Sequence, residues 1–366
     1  MKHTVNIPDQ LKFRAAYLFF VLYTIMVGVG FVPYPRDVYE VAGQDSWLIV
    51  ILAGILVHLV MMIIIFCLKS YGNTDLHGIL QQTFGRWIGK LIGYLFIIYF
   101  FLVYVTILMK YTEFIRTFIF PSIAEWVVAA LCSFLVVYCI YGGIRAIIGT
   151  SFIFYLLTFW LNFLFFEPAT LMDFNNFQPM LDIDSKGVIQ GIQITAYTLL
   201  GIEVIWMLYP YVHNQKRTML YSQLGILGVI LSLLSGVVIS IGYFAPNQLI
   251  EQIWPILTIY KIISFPFFER FDIFVVSFWK FIILPNLIFY AWLITRSLKR
   301  VNNIKQKHSI WVVVVLSSTF IMFFKSREAI NQFVEISAEI GIYFVYVFPF
   351  LILPFAIYRR IRGANK

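Results

Sequence analysis

Ten stretches of this chain are each apolar over a length that suits a membrane crossing, and no segment between them is long enough to fold as a separate domain. A helix spanning the ~30 Å hydrocarbon core needs about 20 mostly apolar residues. That template predicts helices over 15–42, 47–68, 87–118, 125–141, 146–166, 188–212, 217–244, 272–295, 309–325 and 332–358. The 125–141 and 309–325 runs are short, and either is open to a re-entrant reading. The fold class is therefore an all-α polytopic membrane protein. A tail at 1–14 and a basic tail at 359–366 flank a single transmembrane domain, 15–358. Composition supports this: 61% of residues are hydrophobic and 12% charged, against about 45–50% and 25% in soluble domains. A soluble fold of 366 residues has no place to hide that much apolar surface.

The net charge of +9 does not indicate a nucleic-acid partner, because the basic residues sit in short clusters between apolar runs. Their distribution sets an orientation. Lys2, Lys12, Arg14, Lys69, Arg86, Lys90, Arg145, Lys216 and Arg217 lie on one side, with the 296–307 cluster and the basic tail. The other side holds Arg36, Arg116, Lys186, Lys261, Arg270, Lys325 and Arg327, together with Asp173, Asp182 and Asp184. The positive-inside bias places both termini in the cytoplasm, in agreement with an even number of crossings. Cys67, Cys132 and Cys139 all fall in apolar runs without paired spacing and read as buried inert thiols. Catalytic, metal and phosphate-cradling motifs are missing, so neither an enzyme nor a cofactor is expected. The aromatic run from Tyr94 to Tyr104 reads mainly as lipid-facing packing, with Tyr99, Phe100 and Tyr104 as candidates for a cavity wall.

Two of the runs look interrupted. The first contains Gly28-Val-Gly30-Phe-Val-Pro33-Tyr-Pro35-Arg36; paired glycines and prolines weaken a helix through backbone entropy and missing donors. The sixth contains Thr198-Leu-Leu-Gly201-Ile-Glu203, with an ionisable residue near the bilayer centre. These are the first helices of two five-helix halves, 15–166 and 188–358. Halves with an odd number of crossings face opposite ways, and interrupted helices at matching positions of inverted halves point to a midplane binding site. Taken singly, each also reads as a kink or as one partnered glutamate.

The first break resembles the GxG of the amino acid–polyamine–organocation transporters. A more specific ordered set is Leu200-Gly201-Ile-Glu203, Ile253-Trp254-Pro255, Glu269-Arg270-Phe271 and Trp279. Together these resemble the spore germination permease family, the B subunits of nutrient-germinant receptors, over nearly the whole chain. The resemblance implies a five-plus-five inverted repeat of the leucine-transporter type, with first and sixth helices broken. It also implies the inner spore membrane, an amino acid as nutrient, and two partners: an A-type membrane subunit and a C-type lipoprotein. Lys110 and Lys280 lie outside the family pattern.

Unwinding at Gly28 and Gly30 exposes amides, and a half-helix starting near Phe31 points its positive end at the gap, which suits a carboxylate. Thr198, Gly201 and Glu203 line the opposing break, where Glu203 is placed for an ammonium group. Glu203 has two other readings: a proton-carrying acid, or a structural acceptor for unwound backbone. Glu335 and Glu339 share one helical face, and Lys110 and Lys280 lie at comparable depth. Those four residues are expected to form a stabilising charge network at an outer vestibule more readily than a ligand site. A receptor subunit, a proton-coupled amino acid permease and a purely structural subunit all remain compatible with these residues.

Overall fold

Helix α1 (Tyr17–Met26) stops where Val27 and Gly28 turn extended, with Gly28 at φ −125° and ψ −154°. A 3-10 turn over Val29–Phe31 leads into α2 (Tyr34–Ala42). Pro35 occupies the first turn of α2, where its missing N–H costs nothing and its fixed φ is already helical. The expected first span is therefore two helices with a non-helical gap. The computed structural model describes residues 5–263, 271–324 and 326–364. Lys2, Glu269, Arg270, Lys325 and Lys366 lie outside the described residues.

Gly43, at φ +51°, ends α2 before α3 (Ser46–Tyr71), and Gly72, at φ +77°, ends α3. Then follow α4 (Leu76–Phe118), α5 (Glu125–Tyr141) and α6 (Gly143–Thr158). The α4 start differs from expectation: helix begins at Leu76, before the 87–118 run, and bends at Gly85 (φ +79°). Residues 76–86 are too polar to read as membrane span, yet Asp75 caps them by accepting from the Gly78 N–H at 3.0 Å.

The second half opens with α7 (Ser185–Thr198), capped by Asp184. It bends by 51° into a continuation over Ile202–Tyr211, whose centre is the short α8 (Ile205–Leu208). Helix α9 (Thr218–Tyr243), α10 (Phe271–Asn302), α11 (Gln306–Ile321) and α12 (Arg327–Ile342) follow. A π-helical turn over Tyr343–Val347 joins α12 to α13 (Phe348–Ala364), so the last span runs on through the basic tail. Among the described residues each of the ten expected runs is mostly helix, the first and sixth with their breaks and the 309–325 run only to Ile321. Among the described residues, six continuous helices are by length and composition able to cross a membrane, and the bent pair counts as a seventh. Helix α1 and α5 are shorter apolar helices, and α11 has 16 residues.

Packing follows the inverted polarity of a membrane protein. On α4, Trp87, Leu91, Leu95 and Ile98 recur at helical spacing and are all exposed, as a lipid-facing stripe should be. The opposite face buries Phe96, Tyr99, Phe100 and Tyr104 completely. This corrects the reading of that run as chiefly lipid-facing, since hydropathy does not say which side of an apolar helix meets protein. Helices α4 and α10 form the central pair, while α1 packs on α9 and α6. Residues 5–13 are not a free tail: Val5, Ile7 and Phe13 are buried. The Phe13 N–H donates to the Tyr211 carbonyl and its own carbonyl accepts from the His213 N–H, both at 2.9 Å. The three cysteines are free, two buried and Cys139 half-buried.

Candidate functional site

A helix leaves its last carbonyls without intrahelical donors, and the end of α1 lies deep in the bundle. Asn286 on α10 meets that need. Its Nδ2 donates to the Thr24 carbonyl at 2.9 Å and reaches the Val27 carbonyl at 3.5 Å, as well as its own helix at Ile282 (3.1 Å). Gly28 packs against the same side chain: a Cβ there would lie 3.8 Å from Asn286 Oδ1.

The second break has a tighter constraint. Gly201 sits at φ +125°, and a Cβ would fall 2.6 Å from Ile25 Cγ2, so only glycine fits against α1. Glu203 is fully buried. One carboxylate oxygen accepts from the Tyr99 hydroxyl (2.9 Å) and the Tyr290 hydroxyl (2.8 Å), and the other accepts from the Gly201 N–H (2.8 Å). The Tyr346 hydroxyl donates to the Ala196 carbonyl at 3.1 Å near the end of α7. Tyr34, at the start of α2, meets Thr195 on α7 through a 2.7 Å hydroxyl pair.

The two breaks meet. A Cβ on Gly30 would lie 3.7 Å from both terminal side-chain atoms of Thr198, which is ordinary contact distance. Thus Gly30 faces Thr198 and Gly201 faces Ile25; Gly201 and Ile25 are buried, whereas Gly28, Gly30 and Thr198 are half-buried. Phe31 turns to the other side, where a cavity of about 30 Å³ also involves Thr24, Val27, Asn162, Tyr260 and Trp279. That is room for about one or two waters, so a larger guest on this side requires the cavity to widen.

The four residues of the anticipated charge network separate. Lys110 pairs with Glu113 at 3.1 Å and donates to Asn331 Oδ1 at 2.7 Å. Glu113 also pairs with Arg327 at 2.9 Å. Among the described residues, neither Lys280, Glu335 nor Glu339 forms an ion pair within 4.0 Å.

A family model described as "Spore germination protein" matches residues 12–333. The chain belongs to the spore germination permease family. It is 32% identical over 343 residues to spore germination protein GerQB of Bacillus cereus, covering 94% of this chain and 95% of that one. It is 24% identical to spore germination protein A2 of Bacillus subtilis, over 91% of each. Two solved structures share its fold. One is a Na+-coupled sialic acid symporter in a substrate-bound outward-open state (TM-score 0.66, 15% identity, 90% of this chain and 76% of that one). The other is MhsT in complex with L-phenylalanine (TM-score 0.63, 13% identity, 95% and 98%). The permease thus has the leucine-transporter type of fold, an integral membrane bundle of two inverted five-helix halves.

In this spore germination permease, the residues around the breaks that sequence reasoning missed are those supplied from afar. Asn286, Tyr290 and Tyr346 lie 262, 87 and 150 residues from their partners Thr24, Glu203 and Ala196. The one available signal was a buried-type polar residue, Asn286, next to Pro285 inside an apolar run.

Proposed function

We propose that this spore germination permease is the B subunit of a nutrient-germinant receptor, sensing a small amino acid where its two helix breaks meet. The observation that carries this is the juxtaposition of Gly30 with Thr198 and Gly201 with Ile25, within a fold otherwise found in substrate-binding transporters. The amides of the Gly28–Phe31 turn, at the positive end of the half-helix that continues as α2, take the carboxylate. Thr198 and the unwound backbone at Gly201 take the ammonium side. Glu203 holds that backbone in place, because all three of its contacts are to protein. Binding favours a more open arrangement of the breaks over the closed one, and a few kcal/mol of differential affinity is enough to shift the population. An A-type membrane subunit and a C-type lipoprotein in the inner spore membrane receive that shift, with both termini of this chain in the cytoplasm. The second reading is a proton-coupled amino acid permease, to which the shared fold with a Na+-coupled symporter lends only the architecture.

The test is Gly30→Val in spores, with the nutrient dose–response normalised to protein by immunoblot. A Cβ alone fits beside Thr198, so the variant should insert at normal abundance. The branched methyls then fill the ligand's space and raise the half-maximal nutrient concentration at least tenfold, or about 1.4 kcal/mol. A normal curve at normal abundance would remove the first break from the site. Uptake of labelled amino acids into proteoliposomes, driven by a proton gradient, would favour the permease reading.

A further inference from the structure

Between Trp47 and Cys67, helix α3 carries a single polar side chain, His58. It lies midway along the 26 residues of α3, about 18 Å from either end at ~1.5 Å per residue. Gln223 on the neighbouring α9 grips it twice. The Gln223 Nε2 donates to the His58 carbonyl at 3.2 Å, which fixes the amide so that its Oε1 meets the ring at Nδ1. A carbonyl oxygen only accepts, so Nδ1 carries the hydrogen and the neutral ring keeps Nε2 as a bare acceptor. Among the described residues Nε2 forms no hydrogen bond, yet it is not enclosed by protein. His58 and Gln223 are both half-buried.

The side of α3 that carries His58 points out of the bundle. Ile55 and Met62, three residues before it and four after, share its face of the helix and are exposed, as is Leu59. On α9, Leu220, Leu224 and Leu227 are exposed. The two helices pack side by side, so these side chains form one apolar strip with a polar point at its seam. The lipid-facing stripe of α4, Trp87, Leu91, Leu95 and Ile98, contains no such point.

Ionisable side chains in membrane helices ordinarily face the bundle interior or pair with one another. Hydrocarbon has no donor to give Nε2. A second copy docked about a twofold axis would bring the same acceptor to the same place. We infer that the α3–α9 seam docks one membrane-spanning helix of a different protein, and that this helix presents a hydroxyl, amide or indole donor to His58 Nε2 at mid-bilayer. Interhelical hydrogen bonds favour protein over lipid as a neighbour, where apolar contact alone gives little preference. Gln223 is a positioning residue: by setting the tautomer it sets the kind of group the partner must bring. Neither α3 nor α9 contains a helix break, so this surface stands apart from the nutrient site proposed above.

The test is photocrosslinking in sporulating cells, with p-benzoylphenylalanine in place of Leu59 on the seam or of Leu95 on α4, and yields normalised to the chain by immunoblot. The Leu59 position should give an adduct with a second membrane protein that the Leu95 position does not give. Mass spectrometry of the joined peptides should place the adduct in a membrane-spanning segment with a hydroxyl, amide or indole side chain near its midpoint. His58→Leu, which suits lipid and should insert normally, should lower the yield about threefold or more. Gln223→Leu, which frees the tautomer, should lower it in the same direction. His58→Gln, which restores an acceptor, should recover part of the yield, and replacing the partner's donor by leucine should reproduce the loss. The inference is overturned if Leu59 joins only lipid or a second copy of this chain. It is equally overturned if the joined segment has no donor near its midpoint, or if His58→Leu leaves the yield per molecule unchanged.

Discussion

At Glu203 three donors converge on a side chain with no exposed surface. A carboxylate at mid-bilayer costs about 2.5–3.5 kcal/mol on insertion scales, and hydrogen bonds to a charged group return about 1.5–3 kcal/mol each. The group is therefore sustained by its protein partners without a ligand. Glu203→Gln keeps an acceptor for the tyrosines but turns an NH2 group toward the Gly201 N–H, setting donor against donor. The expected result is a loss of about 1–3 kcal/mol, seen as lower abundance and a lower Tm, with nutrient sensitivity per molecule unchanged. A right-shifted dose–response at normal abundance would instead mean that the carboxylate holds the ligand's ammonium. The sequence singled out Glu203 but left three readings open, because two of its donors, Tyr99 and Tyr290, are 104 and 87 residues distant.

Helix breaks become stable elements only when the polar backbone they free is paired. Here the pairing is supplied by neighbouring elements: α10 gives Asn286 to the end of α1, and the turn before α13 gives Tyr346 to the end of α7. Gly28, Gly30 and Gly201 made both breaks legible, since glycine is the residue that tolerates them. The donors that pair the freed carbonyls were not legible. Asn286→Leu nearly preserves volume but leaves the Thr24 carbonyl without its side-chain donor. That substitution should cost about 1–3 kcal/mol, measured as a drop in Tm of the purified protein in detergent. An unchanged Tm would show that the α1 terminus is satisfied by another route.

For the molecule as a whole, the charge bias predicts which end of the bundle faces the cytoplasm. The 296–307 cluster belongs inside, and the α4–α5 connection, where Phe120 is 56% exposed, belongs outside. In a background with Cys67, Cys132 and Cys139 replaced by serine, Phe120→Cys should react with an impermeant maleimide in intact cells. Lys305→Cys should react only after permeabilisation. The reverse pattern would overturn the assignment. Phe13 pairs with Tyr211 and His213 at the end of the sixth span, and Val5 pairs with Asn73 just before α4, so residues 5–13 bridge the two halves of the bundle.

The chain's hydropathy by itself determined that this is a bundle of membrane helices, and its glycines and prolines determined where two of them break. Both are local properties: burial in lipid scales with apolar length, and backbone freedom belongs to single residues. Only the tertiary structure decided that Phe96, Tyr99 and Phe100 face protein and not lipid, because one apolar face of α4 looks like another until α10 is packed against it. It likewise decided that Lys110 pairs with Glu113 and Asn331 and not with Glu335 or Glu339. Side-chain pairing depends on where helices separated by hundreds of residues come to rest, and periodicity along the chain carries no record of that.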